Sequence, residues 1–331
     1  MFGQNTATPL KGEGTGAFLI RNNCSGKKNH QKFLDLNRGK LGKNNTLKFG
    51  VTYRLPSSSQ NEDPEVKTEK NGNEPLFGKK YAKYTINSNR LEGACFFLSS
   101  GHGGPDSGAT NTTYAKGVEL HEDEYAYDIT LRLARVLLME GAEVHIIIQD
   151  AIDGIRDEEI LSNSSRETCM GAPIPKKQRT RLEQRCNKIN DLTGKSKAKH
   201  QRAVFIHLDS RENKNERIDV YFYHWKKSEG GKLLANAIRD TFQEKYNLHQ
   251  PGRGYAGKVK TEDDTRNFPL VLINTKPVSV FLELGNIQND KDLERFLKVN
   301  NRQAVANWIR DGLIKDYENS KKVKKQAKDK G

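Results

Sequence analysis

Residues 94–110 read ACFFLSSGHGGPDSGAT. The apolar run Ala94–Ser99 has the length of a buried strand, and it ends in a glycine-rich turn built around His102. Downstream, Asp123–Glu140 (DEYAYDITLRLARVLLME) repeats apolar residues at helical spacing, with Gly141 as its stop signal. Val144–Gln149 (VHIIIQ), Ala203–His207 (AVFIH), Asp219–Tyr223 (DVYFY) and Val278–Glu283 (VSVFLE) read as strands. Glu229–Tyr246 and most of Asp290–Lys315 read as helices. Strands alternating with helices predict an α/β fold with a mostly parallel central sheet flanked by helices.

Three of these strands end in a polar group: ACFFLSS in Gly101-His102, AVFI in His207 and VSVFL in Glu283. Ligands of parallel α/β sheets gather beyond the carboxyl ends of the strands. If the three strands share a direction, the three side chains emerge on one rim. Asp106 and Gly108 follow His102 in a turn-like PDSGA segment, and Glu122 stands at the start of the long helix. Two histidines and a carboxylate suit a zinc ion that keeps a fourth position for water. Each residue also has an ordinary explanation. His207 reads equally as a hydrogen-bonded strand-end residue, Glu122 as a carboxylate favoured by the helix dipole, and Glu283 as a salt-bridge partner. Glu119 and Glu124 compete with Glu122 on spacing alone.

The 331 residues suffice for a large and a small unit. Residues 57–75 (SSSQNEDPEVKTEKNGNEP) are polar and aperiodic and read as a linker. Before them, residues 8–56 form a small unit carrying GAFLIRN (16–22), QKFLDL (31–36) and the strand-like LKFGVTYRL (47–55). After them, residues 76–316 form the main domain, and 317–331 a solvated, Lys-rich tail. Within the main domain, the polar segments 153–201 and 247–267 read as insertions that shape a groove, the first containing a helix over Gln178–Leu192.

The formal net charge of +14, with 30% charged residues, favours an acidic partner. No aromatic RNP-like strand or paired CxxC is present, so a nucleic-acid partner is not expected. None of Cys24, Cys95, Cys169 and Cys186 has metal-ligand spacing; Cys95 reads as core, and Cys169 and Cys186 as a pair that an oxidising compartment would permit to bond. No stretch approaches the roughly 18 apolar residues of a membrane span.

Four segments resemble, in the family's order, the zinc-dependent N-acetylmuramoyl-L-alanine amidases of the amidase-3 type. They are FFLSSGHGGPDSGAT, EDEYAYDITLRLARVLLMEGAEV, VFIHLDS and PVSVFLELGNIQN, and together they span nearly all of residues 94–310. The resemblance implies that His102, Glu122 and His207 hold Zn2+ and that Glu283 is the catalytic acid/base. It selects Glu122 over its neighbours by distance from LRLA. It implies hydrolysis of the amide between N-acetylmuramic acid and L-alanine in peptidoglycan, during wall remodelling or daughter-cell separation. Ile273 stands where the family often has a basic residue, which weakens one substrate contact. The 8–56 unit resembles a LysM-like α+β module. A non-catalytic wall-binding protein and a zinc peptidase or deacetylase are the alternatives. The expectation is a monomer acting on peptidoglycan in the periplasm or cell envelope, its activator unidentified and its export signal trimmed, since Met1–Gly12 has no apolar core.

Overall fold

The computed structural model describes residues 6–10, 13–22, 24, 27–56, 70–115, 117–210, 217, 219–249, 259–263 and 269–328. The chain divides into two units, Met1–Thr68 and Glu69–Gly331.

The large unit is built on six strands: β1 (Ala94–Ser100), β2 (Glu143–Ile146), β3 (His200–Asp209), β4 (Val220–His224), β5 (Val259–Asp263) and β6 (Val278–Asn286). They lie in the order β5-β4-β6-β3-β1-β2. Strands β2, β1, β3 and β6 are mutually parallel; β4 runs antiparallel to β6, and β5 parallel to β4. The sheet is therefore mostly parallel, with one reversal. Because β1, β3 and β6 share a direction, their carboxyl ends open on the same rim.

Both faces of the sheet are covered, as a parallel sheet requires. Alternate residues of β1 divide between two cores. Ala94, Phe96 and Leu98 join helices α1 (Glu122–Met139), α3 (Glu229–His249), α5 (Asp290–Leu297) and α6 (Val299–Lys328) on one face. Cys95 and Phe97 join α2 (Gln178–Lys195) and α4 (Pro269–Asn274) on the other. The period-2 alternation of a strand makes this division.

The first core is pinned by a buried charge network. Arg302 of α6 is fully buried and donates from Nε to Oδ2 of Asp128 at 2.6 Å. Its remaining donors reach the carbonyls of Phe296, Leu297, Arg156 and Glu158. Arg132 donates to the same Asp128 oxygen at 2.7 Å. A buried guanidinium is tolerated only when its donors are satisfied in this way.

Several boundaries differ from the sequence reading. Segment 247–267, read as a groove-shaping insertion without a strand, contains strand β5. Its sequence VKTED is polar because β5 is an edge strand, where the apolar pattern fades. The last helix runs to Lys328, so the supposed tail from 317 is largely helical. Tyr317 is buried and donates to the carbonyl of Glu92, and Ser320 lies 3.2 Å from Nδ1 of His200. Of the linker residues 57–75, Asn71–Asn73 pair with Lys83–Thr85 in a hairpin of the large unit, and 57–69 lie outside the described residues. Val144–Gln149 breaks in two, its end (Ile148–Gln149) joining a small sheet with Thr168–Cys169. Cys169 and Cys186 are both buried thiols and are not bonded to each other.

In the small unit, strands Thr6–Ala7 and Tyr53–Arg54 pair antiparallel, and helices Thr15–Arg21 and Lys27–Leu36 lie between them in the chain. Only Tyr53–Arg54 of the expected strand 47–55 is strand. Phe18, Phe33 and Tyr53 form its buried aromatic centre, with ring centroids 5.7–6.1 Å apart.

Candidate active site

His102, Glu122, His207 and Glu283 line one cavity at the carboxyl rim of β1, β3 and β6. His102 lies just beyond β1 with φ +53°, a left-handed conformation that is uncommon for a residue with a Cβ. The turn is held from outside. Arg185 of α2 donates to the carbonyl of His102, and the amide of Gly104 donates to Oε2 of Glu167 at 2.8 Å. His207 lies near the end of β3, with its ring stacked on Phe281 of β6 at 4.3 Å. Glu283 sits on β6 in register with His207, and is 5% exposed.

Glu122 is the first residue of α1 and is 2% exposed. Its carboxylate stands between the two imidazoles: Oε2 is 3.2 Å from Nε2 of His102, and Oε1 is 3.1 Å from Nδ1 of His207. The same oxygens accept backbone amides from Ala109 (2.9 Å) and Leu208 (3.0 Å). The competing carboxylates go elsewhere. Glu119 faces His121, and Glu124 pairs with Arg156 at 2.9 Å.

The other nitrogen of His102, Nδ1, lies 2.9 Å from Oδ2 of Asp106, and Arg181 of α2 pairs with that same oxygen. A carboxylate on one imidazole nitrogen fixes the tautomer and leaves the other nitrogen to ligate. Asp106, Arg181 and Arg185 were not singled out from sequence as site residues. The available signals were the turn-like PDSGA and the i, i+4 arginines of RLEQR, which share one helix face.

The protonation balance follows from this arrangement. Burial would depress His102, but the carboxylates of Glu122 and Asp106 outweigh it and raise its pKa to about 10. For His207, burial prevails and lowers the pKa to about 4. Burial opposes the charge of Glu122, yet the two imidazoles hold its pKa below the ordinary carboxylate range. Asp106 is likewise lowered to about 2: burial opposes its charge, and His102 and Arg181 outweigh it. A proton on His102 thus sits where a cation is electrostatically favoured.

One ligand atom from each of His102, Glu122 and His207 lies within 4.8 Å of the others. Two imidazoles, a buried carboxylate and an oriented tautomer fit a zinc-type cation. Ile273 of α4 is 45% exposed.

The family model for N-acetylmuramoyl-L-alanine amidase (Amidase_3) matches residues 97–315. The probable cell wall amidase LytH of Staphylococcus aureus is 28% identical over 233 residues, which are 70% of this chain and 61% of LytH. The chain thus spans under two thirds of the length of that curated relative. Among solved structures, the N-acetylmuramoyl-L-alanine amidase from Clostridium difficile 630 aligns with a TM-score of 0.49 at 18% identity, covering 70% of this chain and 98% of that one. The CwlD amidase from Clostridioides difficile, solved in complex with the GerS lipoprotein, aligns with a TM-score of 0.47 at 20% identity, covering 68% and 98%.

Proposed function

The chain belongs to the N-acetylmuramoyl-L-alanine amidase family, and from that premise we propose that it hydrolyses the amide between N-acetylmuramic acid and L-alanine in peptidoglycan. The observation that carries the reading is the buried Glu122 carboxylate set between His102 and His207, with Glu283 on the same cavity wall.

In this proposal His102, Glu122 and His207 hold Zn2+. When bound there, the ion would supply Lewis acidity at the scissile carbonyl and toward water near neutral pH. Asp106 would keep the His102 proton on Nδ1 and leave Nε2, the nitrogen nearer Glu122, available to ligate. Glu283 accepts a proton from the attacking water and delivers it to the departing L-alanine amine. Its place on the cavity wall, in register with His207, puts it within the same pocket as the proposed ligands.

The small unit is proposed to be LysM-like and to bring the chain to glycan strands. Its α+β order and the words GEGTGAFLIRN, FLDLN and LKFGVTYRLP support this. The formal charge of +14 would concentrate the protein near anionic wall polymers, and the cell envelope is the proposed place of action.

Incubation with purified, dye-labelled peptidoglycan followed by mass analysis of the products tests the activity. The expected products carry an intact lactyl acid on the glycan and a free L-alanine amine on the stem. Cleavage within the stem peptide, or release of acetate, would replace the amidase reading with the peptidase or deacetylase one. Binding to wall without product would favour the non-catalytic reading.

A further inference from the structure

Strand β1 carries chemistry at its other end as well. Cys95 and Phe97 of β1 stand in parallel register with Glu143 and His145 of β2, the edge strand. Paired positions of a parallel ladder project to the same face, so the thiol, carboxylate and imidazole emerge together. The His145 ring is stacked on Phe97 at 5.3 Å and 9°, which fixes its plane, and its Nε2 is 2.8 Å from Oε1 of Glu143. The other Glu143 oxygen accepts from Ser196 Oγ, just past the end of α2, at 2.9 Å. Cys95 is fully buried beneath them.

We propose that Cys95, Glu143 and His145 form a second metal site, for a zinc-like divalent cation, separate from the catalytic centre. One ligand atom from each residue lies within 4.8 Å of the others. Ligand atoms on one tetrahedral zinc stand roughly 3.5 Å apart, so a small side-chain adjustment closes the set. A sulfur, a nitrogen and a single carboxylate select zinc or cobalt over magnesium or calcium, which prefer all-oxygen shells. Three protein ligands leave one position for water or the nearby Ser196 hydroxyl. Seven residues of extended chain separate Cys95 from His102, roughly 20 Å, so one ion cannot serve both groups.

Binding requires the thiol to give up its proton to solvent as the metal–sulfur bond forms. Burial raises the Cys95 pKa to about 12. An occupied site would tie the edge strand to β1 and sit against the end of α2, the helix whose arginines hold the His102 turn.

The full chain, loaded with Zn2+ or Co2+ and freed of excess metal, provides the test. Wild type should hold two ions per chain. His102→Ala/His207→Ala should hold one and, with cobalt, show the near-ultraviolet thiolate-to-metal charge-transfer band. His145→Gln, a change at a half-buried position, should hold one ion, lose the band and keep its wall-hydrolysing rate within about twofold. Absence of the band from the His102→Ala/His207→Ala protein, or its persistence in both His145→Gln and Cys95→Ser, would overturn the proposal. A wild type holding one ion, lost with Cys95→Ser but not with His207→Ala, would sustain this site and instead defeat the catalytic one.

Discussion

Glu283 and His207 occupy paired register positions on adjacent parallel strands, and both line the same cavity. Their side chains therefore leave the sheet on one face, one as proposed metal ligand and the other as proposed proton carrier. Separate roles predict separable effects. Glu283→Gln is expected to retain zinc at wild-type stoichiometry while turnover falls by roughly 10²–10⁴-fold. Metal analysis beside a dye-release assay checks it; loss of metal and activity together would show that Glu283 belongs to the metal-binding set.

In the proposed site, Asp106 would act on the metal through His102. Replacing it with Asn removes the charge that orients Nδ1 but keeps the shape. Zinc affinity should fall about 10–100-fold, measured by competition with a chromophoric chelator. With zinc saturating, much of the lost turnover should return, whereas a residue that merely maintains the fold would show no such rescue.

Metal binding should depend on pH with a definite sign. His102 carries a proton up to about pH 10 in the metal-free protein, while His207, with its pKa at about 4, is already neutral near pH 7. Zinc bound at the proposed site would have to displace the His102 proton, so affinity should rise with pH, roughly tenfold per unit, and flatten as pH passes the His102 value. Calorimetry of the catalytic site in His145→Gln protein, in buffers of different ionisation enthalpy, should count about one proton released near neutrality. Zero protons would show that His102 is neutral before the ion arrives.

Gly108 has φ +70°, and a Cβ there would stand 2.6 Å from Cδ2 of His102 and 2.7 Å from Oε2 of Glu122. Gly108→Ala should cost zinc affinity as well as stability. Gly117 provides the comparison: its φ is +79°, but a Cβ there would meet nothing within 4 Å. Gly117→Ala should therefore show backbone strain alone, about 1–2 kcal/mol in urea unfolding, with zinc affinity unchanged.

Arg302→Ala would leave the Asp128 carboxylate and four carbonyls without one of their donors in the core. Breaking a buried pair of this kind costs about 3–5 kcal/mol. Urea unfolding should report a loss of that size, and one below about 1 kcal/mol would mean that Arg132 and water replace the contact.

Much of the fold was legible because its central strands are apolar and end in informative residues. ACFFLSS, AVFI and VSVFL form the middle of the sheet, where burial on both faces enforces the pattern. The edge strand VKTED escaped because its sequence carries no apolar pattern, and the final helix was read as ending near 316 because its Lys-rich continuation resembles a tail. At the site, the histidines and carboxylates were visible as strand and helix ends. Glu122 was separable from Glu119 and Glu124 only through the family resemblance, since all three lie within six residues; of the three, it alone faces both imidazoles in the structure. Arg181 and Arg185 were obscured because their partners lie 75 and 83 residues away, and contacts of that range leave no periodic trace; Asp106 is only four residues from His102, but the turn that brings the two side chains together has no periodicity to reveal it.

Helix α2 belongs to a segment that reads as a groove-shaping insertion, yet two of its arginines grip the His102 turn, one at its carbonyl and one through Asp106. It is therefore not an interchangeable cassette. A chimera importing residues 178–195 from a relative with different side chains at 181 and 185 would alter the support of the His102 turn, and with it the proposed metal site. Under the proposed reading, a change made for the groove would also reach the His102 turn, so the two would not vary independently.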